Sequence, residues 1–315
     1  MGNSLIWIPK RLVELGLLNV AAQSPRAFID YCEADYAGRI AHAAHEVRRS
    51  GARVVMLTGP SSSGKTTTAH KLARALRGSG IPSAVVSLDN FFKDVADYPR
   101  LPDGTPDYES VDALDVSLIN RCLLELTRTG ATEIPDFDFG REQRRRGTVP
   151  IRLDGGVAVV EGIHALNPRL TALLPADSVY RIYAGLREEY SADGQRILPT
   201  RDVRLVRRMV RDYQFRGHSP DKTMDMWPAV CLGEDKNIKV FKQEADLLLD
   251  TSFSCEVCLL APRLAPMRQL LVPDSPHAAA LENLCRRFAR CAALDEGLLP
   301  DDSMLREFLG PRRAQ

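Results

Sequence analysis

The stretch Gly59-Pro60-Ser61-Ser62-Ser63-Gly64-Lys65-Thr66 constrains this chain more than any other. Glycine, four residues, then glycine, lysine and a hydroxyl residue stand between a short apolar run, Val54-Val55-Met56-Leu57, and a helical pattern over residues 66–76. Strand, glycine-rich loop and helix in that order make a phosphate-binding loop. The glycines let the backbone wrap closely enough for its N–H groups to face phosphate oxygens, and the following helix adds its positive end. Lys65 is then expected to reach the β- and γ-phosphates and Thr66 to ligate a divalent cation. ATP and Mg²⁺ are the cofactors this pattern implies.

Apolar runs at residues 84–88, 157–160, 179–183 and 247–249 alternate with helical segments. That alternation predicts an α/β fold, with helices layered on a mainly parallel sheet. Two of the runs end in carboxylates, Leu88-Asp89 and Val160-Glu161. Ligands gather at the carboxyl ends of strands in open α/β sheets, so both acids are expected to face the γ-phosphate. One would serve the metal and the other would take the proton of an attacking hydroxyl, although Asp89 also reads as a helix cap.

Two segments depart from the alternation, and one helix is unusually basic. Residues 132–153 alternate polar and apolar positions around a charged tip at 141–147, which predicts a hairpin. Its Arg144-Arg145-Arg146 run reads as a solvated turn or as a phosphate or RNA contact. The helix expected over 201–216 places Val203, Val206, Val210 and Tyr213 on one side and Arg204, Arg207, Arg208 and Arg211 on the other. The basic side reads either as a solvated face or as a lid that supplies an arginine to the transferring phosphoryl group. Beyond residue 254 the pattern is a strand carrying Cys255 and Cys258, a proline-rich connection, and helices at 278–293 and 303–309. An amphipathic helix over 27–49, ending near Gly51, precedes the first strand.

Lysine and arginine number 42 against 41 acidic residues, a net charge of +1, so bulk charge supplies no affinity for nucleic acid or anionic membrane. The composition is 44% hydrophobic and 26% charged, which fits a globular chain with a substantial core and excludes disorder. Apolar runs fall well short of the roughly 18 residues of a membrane span. The opening residues reach Pro9, Lys10 and Arg11 too soon for a secretory leader, and seven scattered cysteines fit reduced thiols, so a cytoplasmic location is expected.

Six segments in order resemble the uridine kinase and phosphoribulokinase family of P-loop kinases, more narrowly the bacterial uridine-kinase-like nucleoside kinases. They are the loop at 59–67, Ser87-Leu88-Asp89-Asn90-Phe91-Phe92, Tyr108-Glu109-Ser110, Val160-Glu161-Gly162-Ile163-His164, Arg207-Arg208-Met209-Val210-Arg211-Asp212 and Phe215-Arg216-Gly217-His218. The resemblance implies a three-layer α/β/α P-loop kinase with an inserted β-hairpin (132–153) and a helical lid (201–220). The kinase unit would run over 52–252, between a helical lead-in at 1–51 and a C-terminal appendage at 253–315.

By position, the resemblance makes Asp89 the general base for a ribose 5′-hydroxyl and gives Mg²⁺ to Thr66 and Glu161. Lys65, Arg211 and Arg216 would serve the phosphates. Tyr108, Glu109, Phe137 and Arg208 would contact a small nucleoside or related hydroxyl substrate, and the oligomeric state stays open to a homo-oligomer. The chain departs from the pattern on the base side, where Glu142 replaces a histidine, His218 an arginine and Met226 a glutamine. Polar base contacts carry selectivity among bases, so the resemblance reaches phosphoryl transfer more firmly than base choice. A sugar-phosphate or pantothenate-like acceptor, and a nucleotide-binding RNA-associated protein, are the competing readings.

Overall fold

The computed structural model describes residues 9–138 and 140–312; the opening octet, read above for a leader, lies outside them. The described chain begins with β1 (Arg11–Glu14), α1 (Leu15–Ala21) and α2 (Pro25–Ser50), followed by β2 (Val54–Thr58), α3 (Lys65–Gly78) and β3 (Ser83–Ser87). Next come α4 (Val116–Thr129), β4 (Ala131–Asp138), β5 (Gln143–Arg152), β6 (Val157–Glu161) and β7 (Val179–Gly185). The strands β8 (Glu188–Ala192) and β9 (Gln195–Leu198) precede α5 (Thr200–Arg216), α6 (Pro220–Asn237) and β10 (Leu247–Asp250), and α7 (Glu256–Leu264), α8 (Ala278–Phe288) and α9 (Arg306–Leu309) end the chain.

Local chemistry explains several boundaries. Pro25 opens α2, where its missing N–H costs nothing, and Gly51 closes it at φ 72°. Asp115 caps α4 by accepting the Leu118 N–H at 3.0 Å, and Gly130 ends that helix at φ 77°.

Five parallel strands form the main sheet in the order β10-β7-β2-β6-β3. Every residue of β2 and β6 is buried, because both faces of the sheet are covered. Val55 and Leu57 enter one core with α2, α3, α5 and the C-terminal helices, while Val54 and Met56 enter a second core with α4 and the β4–β5 hairpin. The expected three-layer α/β arrangement is therefore present. The first core includes Ile29 and Tyr36 before β2 and Leu260, Leu281 and Phe308 after β10, so the segments flanking the sheet strands on both sides pack on the sheet. No helix among the described residues is long and apolar enough to cross a membrane.

Three expectations are corrected. Residues expected as a strand after 254 form α7, with Cys255 and Cys258 fully buried; a short apolar run does not distinguish a strand from a buried helix. The run Arg144-Arg145-Arg146 lies within β5 and not at the hairpin tip, with Arg144 opposite Phe137. Val203, Val206 and Val210 of α5 are buried, but so are Arg204, Arg207 and Arg208, while Tyr213 is 43% exposed, so the basic side of the helix is not its outer side.

A second sheet, in the order β1-β8-β9, was not anticipated. Its strands β8 and β9 lie between β7 and α5 in the chain, and β1 pairs in parallel with β8.

Candidate active site

Register sets the site. Leu57 of β2 and Ser87 of β3 both pair with Glu161 of β6, so the segments that follow these three strands leave the sheet at one level. They are the phosphate loop, the Asp89 turn and the Glu161–His164 segment, all at the carboxyl edge.

The loop is tightly held. A Cβ on Gly59 would come within 2.3 Å of the Ala184 carbonyl oxygen, so a side chain there is excluded. Ser62 adopts φ 59° and Gly64 φ 81°, a left-handed pair that turns the chain into α3. The hydroxyls of Ser62 and Ser63 are buried without hydrogen-bond partners among the described residues.

Three arginines of α5, at i, i+3 and i+4 spacing, grip the loop from behind. Arg204 Nε donates to the Ser61 carbonyl (2.8 Å), Arg207 Nη1 to the Ser62 carbonyl (3.3 Å) and Arg208 Nη1 to Ser61 Oγ (2.8 Å). Two are anchored in turn by buried carboxylates, Arg204 on Glu234 at 2.5 Å and Arg207 on Glu256 at 2.6 Å. These side chains are a buttress, and their burial excludes the solvated face considered above.

Glu161 is 2% exposed. Its Oε1 accepts the Ser87 hydroxyl at 2.7 Å and its Oε2 accepts the Thr66 hydroxyl at 3.2 Å. Burial raises its pKa; Lys65 opposes the rise and the nearby Asp89 adds to it. Asp89 is raised by burial as well, against the pull of Lys65 and Arg216. One lysine thus faces two crowded carboxylates. Mg²⁺ bound with phosphates needs only one or two protein oxygens, and Thr66 Oγ1 beside Glu161 Oε2 offers that donor set.

On the side expected to take the acceptor, Phe92, Phe137, Tyr98 and Tyr108 form an aromatic chain with centroid spacings of 5.8, 5.9 and 5.5 Å along the pairs 92–137, 92–98 and 98–108. Phe137 is buried within it, while Tyr108 is exposed and its hydroxyl donates to Glu142 at 3.4 Å. Burial raises the Glu109 carboxyl, with Arg208 and Lys65 pulling the other way. A Cβ on Gly233 would meet Glu109 Cγ at 2.9 Å, so α6 presses directly on that acid.

Asp212, fully buried, collects Arg211 at 2.7 Å, Arg208 at 3.2 Å and Arg216 at 3.5 Å. The expected phosphate ligands Arg211 and Arg216 therefore share one carboxylate. Its weight was not evident from the sequence, where it reads as an ordinary surface pair on a basic helix. His218 donates its backbone N–H to the Asp212 carbonyl (3.1 Å), its Nδ1 is buried without a partner among the described residues, and Met226 is 38% exposed. Arg144 and Arg145 bond within the chain, Arg144 to Asp115 and the Phe91 and Phe92 carbonyls and Arg145 to Asp136 and Asp138.

His164 also escaped attention as a separate group. It is 2% exposed, neither ring nitrogen has a partner among the described residues, and burial holds its pKa down to about 4.

Comparison with known proteins agrees with this geometry. Residues 54–180 match the family described as phosphoribulokinase / uridine kinase. A uridine kinase of Deinococcus deserti is 29% identical over 174 residues, 55% of this chain and 75% of that protein. A uridine kinase of Staphylococcus aureus is 26% identical over 207 residues, 65% of this chain and 91% of that one. A solved structure described as a candidate fructose transport system kinase from Silicibacter sp. TM1040 aligns with a TM-score of 0.47 at 24% identity, covering 66% of this chain and 98% of that one. Over residues 54–180, this chain is thus similar to the phosphoribulokinase and uridine kinase family of kinases.

Proposed function

We propose that this chain is an ATP- and Mg²⁺-dependent kinase that phosphorylates the 5′-hydroxyl of a nucleoside, in the manner of a uridine kinase. The observation that carries this reading is the convergence of Lys65, Asp89 and Glu161 at one sheet edge, with Glu109 and the aromatic chain beside them. Its support comes also from the uridine kinases named above.

In this reading the backbone of residues 59–67 and Lys65 hold the triphosphate, and Glu109 and Tyr108 orient the acceptor. Asp89 takes the proton as the hydroxyl oxygen bonds to the γ-phosphorus and the bond to the β-phosphate oxygen breaks, leaving ADP. Thr66 and Glu161 would hold Mg²⁺, which supplies charge neutralisation on the phosphates. Arg211 and Arg216, gathered by Asp212, are poised to add positive charge to the transferring group. Positioning and electrostatics do most of the work in such a transfer. We assign the catalytic unit to residues 52–252, the hairpin to the acceptor side and α5 with its following loop to the phosphate side.

Glu142, hydrogen-bonded to Tyr108, favours a second reading in which the acceptor is a small hydroxyl compound without a pyrimidine base. ADP release over a panel of nucleosides, sugar phosphates and pantothenate decides between them. Turnover with a nucleoside supports the first reading; turnover confined to the other compounds replaces it; no acceptor-dependent turnover with intact ATP binding rejects both.

A further inference from the structure

The unanticipated β1-β8-β9 sheet encloses a cavity of about 410 Å³ against the start of α5 and the end of α6. Pro60 of the phosphate loop and Tyr183 and Gly185 of β7 also line it. Lys10, Arg187 and Arg196 stand on the side of the small sheet, and Arg204, Lys239 and Lys242 on the helical side. With Arg201, seven cations line the cavity against three carboxylates.

Those carboxylates are already satisfied. Glu189 receives Lys10 at 2.5 Å and Arg196 at 2.9 Å. Glu234 receives Arg204 at 2.5 Å and Lys239 at 3.1 Å. Asp202 is bonded by Arg287, which reaches in from α8 outside the lining. Asp235, beside the lining, pairs with Arg201 and Lys239 as well, and the seven lining cations still outnumber these carboxylates. The crowding shows at Lys242, whose pKa is lowered to about 8 by burial and by Arg187, Lys10 and Lys239. An anion entering here would relieve like-charge repulsion as well as gain hydrogen bonds.

We propose that this cavity is a binding site for a small phosphorylated anion, separate from the phosphate loop. Its volume lies within the range of about 300–1,000 Å³ usual for small-molecule sites. Guanidinium forks and compact ammonium groups together are the chemistry that recognises phosphate oxygens. The site is also wired to the kinase machinery. Arg204 bridges Glu234 in the cavity wall and the Ser61 carbonyl in the loop, and Gly233, next to Glu234, abuts Glu109.

The inference does not rest on the acceptor assigned above, and its test is a binding measurement. Inorganic pyrophosphate is titrated calorimetrically into protein saturated with a non-hydrolysable ATP analogue, so that the phosphate loop is filled. One equivalent is expected to bind. Arg196→Gln with Lys239→Gln should weaken that binding about tenfold or more, since each removes a charge-assisted contact. Lys65→Met should leave it within about twofold, because that charge serves the other site. Arg196 and Lys239 have side chains 58% and 41% exposed, so the double variant should fold; if it melts early, Lys10→Gln, also half exposed, gives the same reading. Absence of binding beyond the analogue, loss of binding in Lys65→Met, or unchanged affinity in the cavity variants would overturn the proposal.

Discussion

Glu307, near the C-terminus, accepts the Thr67 hydroxyl at 2.7 Å and the Thr67 backbone N–H at 3.4 Å. The carboxylate sits at the N-terminal end of α3, the end a triphosphate would use, and Met304 of the same segment covers Gly64. An anion favoured there competes with another anion.

Glu307→Gln is therefore expected to tighten ATP binding. Loss of one like charge at a helix end is worth about 1 kcal/mol, or roughly fivefold in Kd, and the effect should shrink in high salt. Calorimetric titration of ATP at two ionic strengths checks this; weaker binding in the variant would show that Glu307 orders the loop for ATP instead of opposing it.

Asp89→Asn should abolish turnover while leaving ATP affinity within a few-fold. Asparagine keeps the size but cannot take a proton. Because burial raises the Asp89 pKa, the active, ionised form is lost as pH falls through a midpoint above the ordinary aspartate range. A kcat profile across the acid side, with an acceptor that supports turnover, measures that limb. Retained turnover in the variant removes Asp89 as the base.

Arg207 and Glu256 form a pair in which both side chains are at most 1% exposed. Removing one partner leaves a buried uncompensated charge, so Glu256→Gln or Arg207→Met should cost about 3–5 kcal/mol and lower Tm markedly. Combining Arg207→Met with Glu256→Leu should recover part of the loss. If the double variant is no better than the singles, the hydrogen bonds of Arg207 to Ser62 and Thr251 matter more than its charge.

His164 should make the fold acid-sensitive. Its folded-state pKa of about 4 lies below its ordinary value of about 6.5, so the unfolded chain takes up a proton first as pH drops. Stability is then complete above about 6.5 and falls toward pH 4, by up to roughly 3 kcal/mol from this group. Denaturant melts of the parent and His164→Gln at several pH values test it: equal pH slopes in the two proteins would place the sensitivity elsewhere.

Much of the fold was legible because its signals are local. The strand, loop and helix from Val54 to Gly78, the buried strands that follow, and the carboxylates Asp89 and Glu161 at strand ends can all be read within a few residues of each position. The same holds for Gly51 as a helix end, where only a backbone preference is at stake. The small sheet was missed because β1 and β8 are about 175 residues apart in sequence and short enough to lack a pattern of their own.

The sequence by itself therefore determined the phosphate loop, its strand and helix, and the acids that accompany it, since these depend on backbone conformation and short-range periodicity. Tertiary structure decided what the charged groups do. A stripe of arginines at i, i+3 and i+4 looks the same whether it faces water or buried carboxylates. Only the arrival of Glu234 from α6 and Glu256 from α7 turned Arg204 and Arg207 inward, as braces for the loop. Likewise only folding brought Glu307 to Thr67 across 240 residues, because ionic partners are chosen by proximity in space and leave no trace in local spacing.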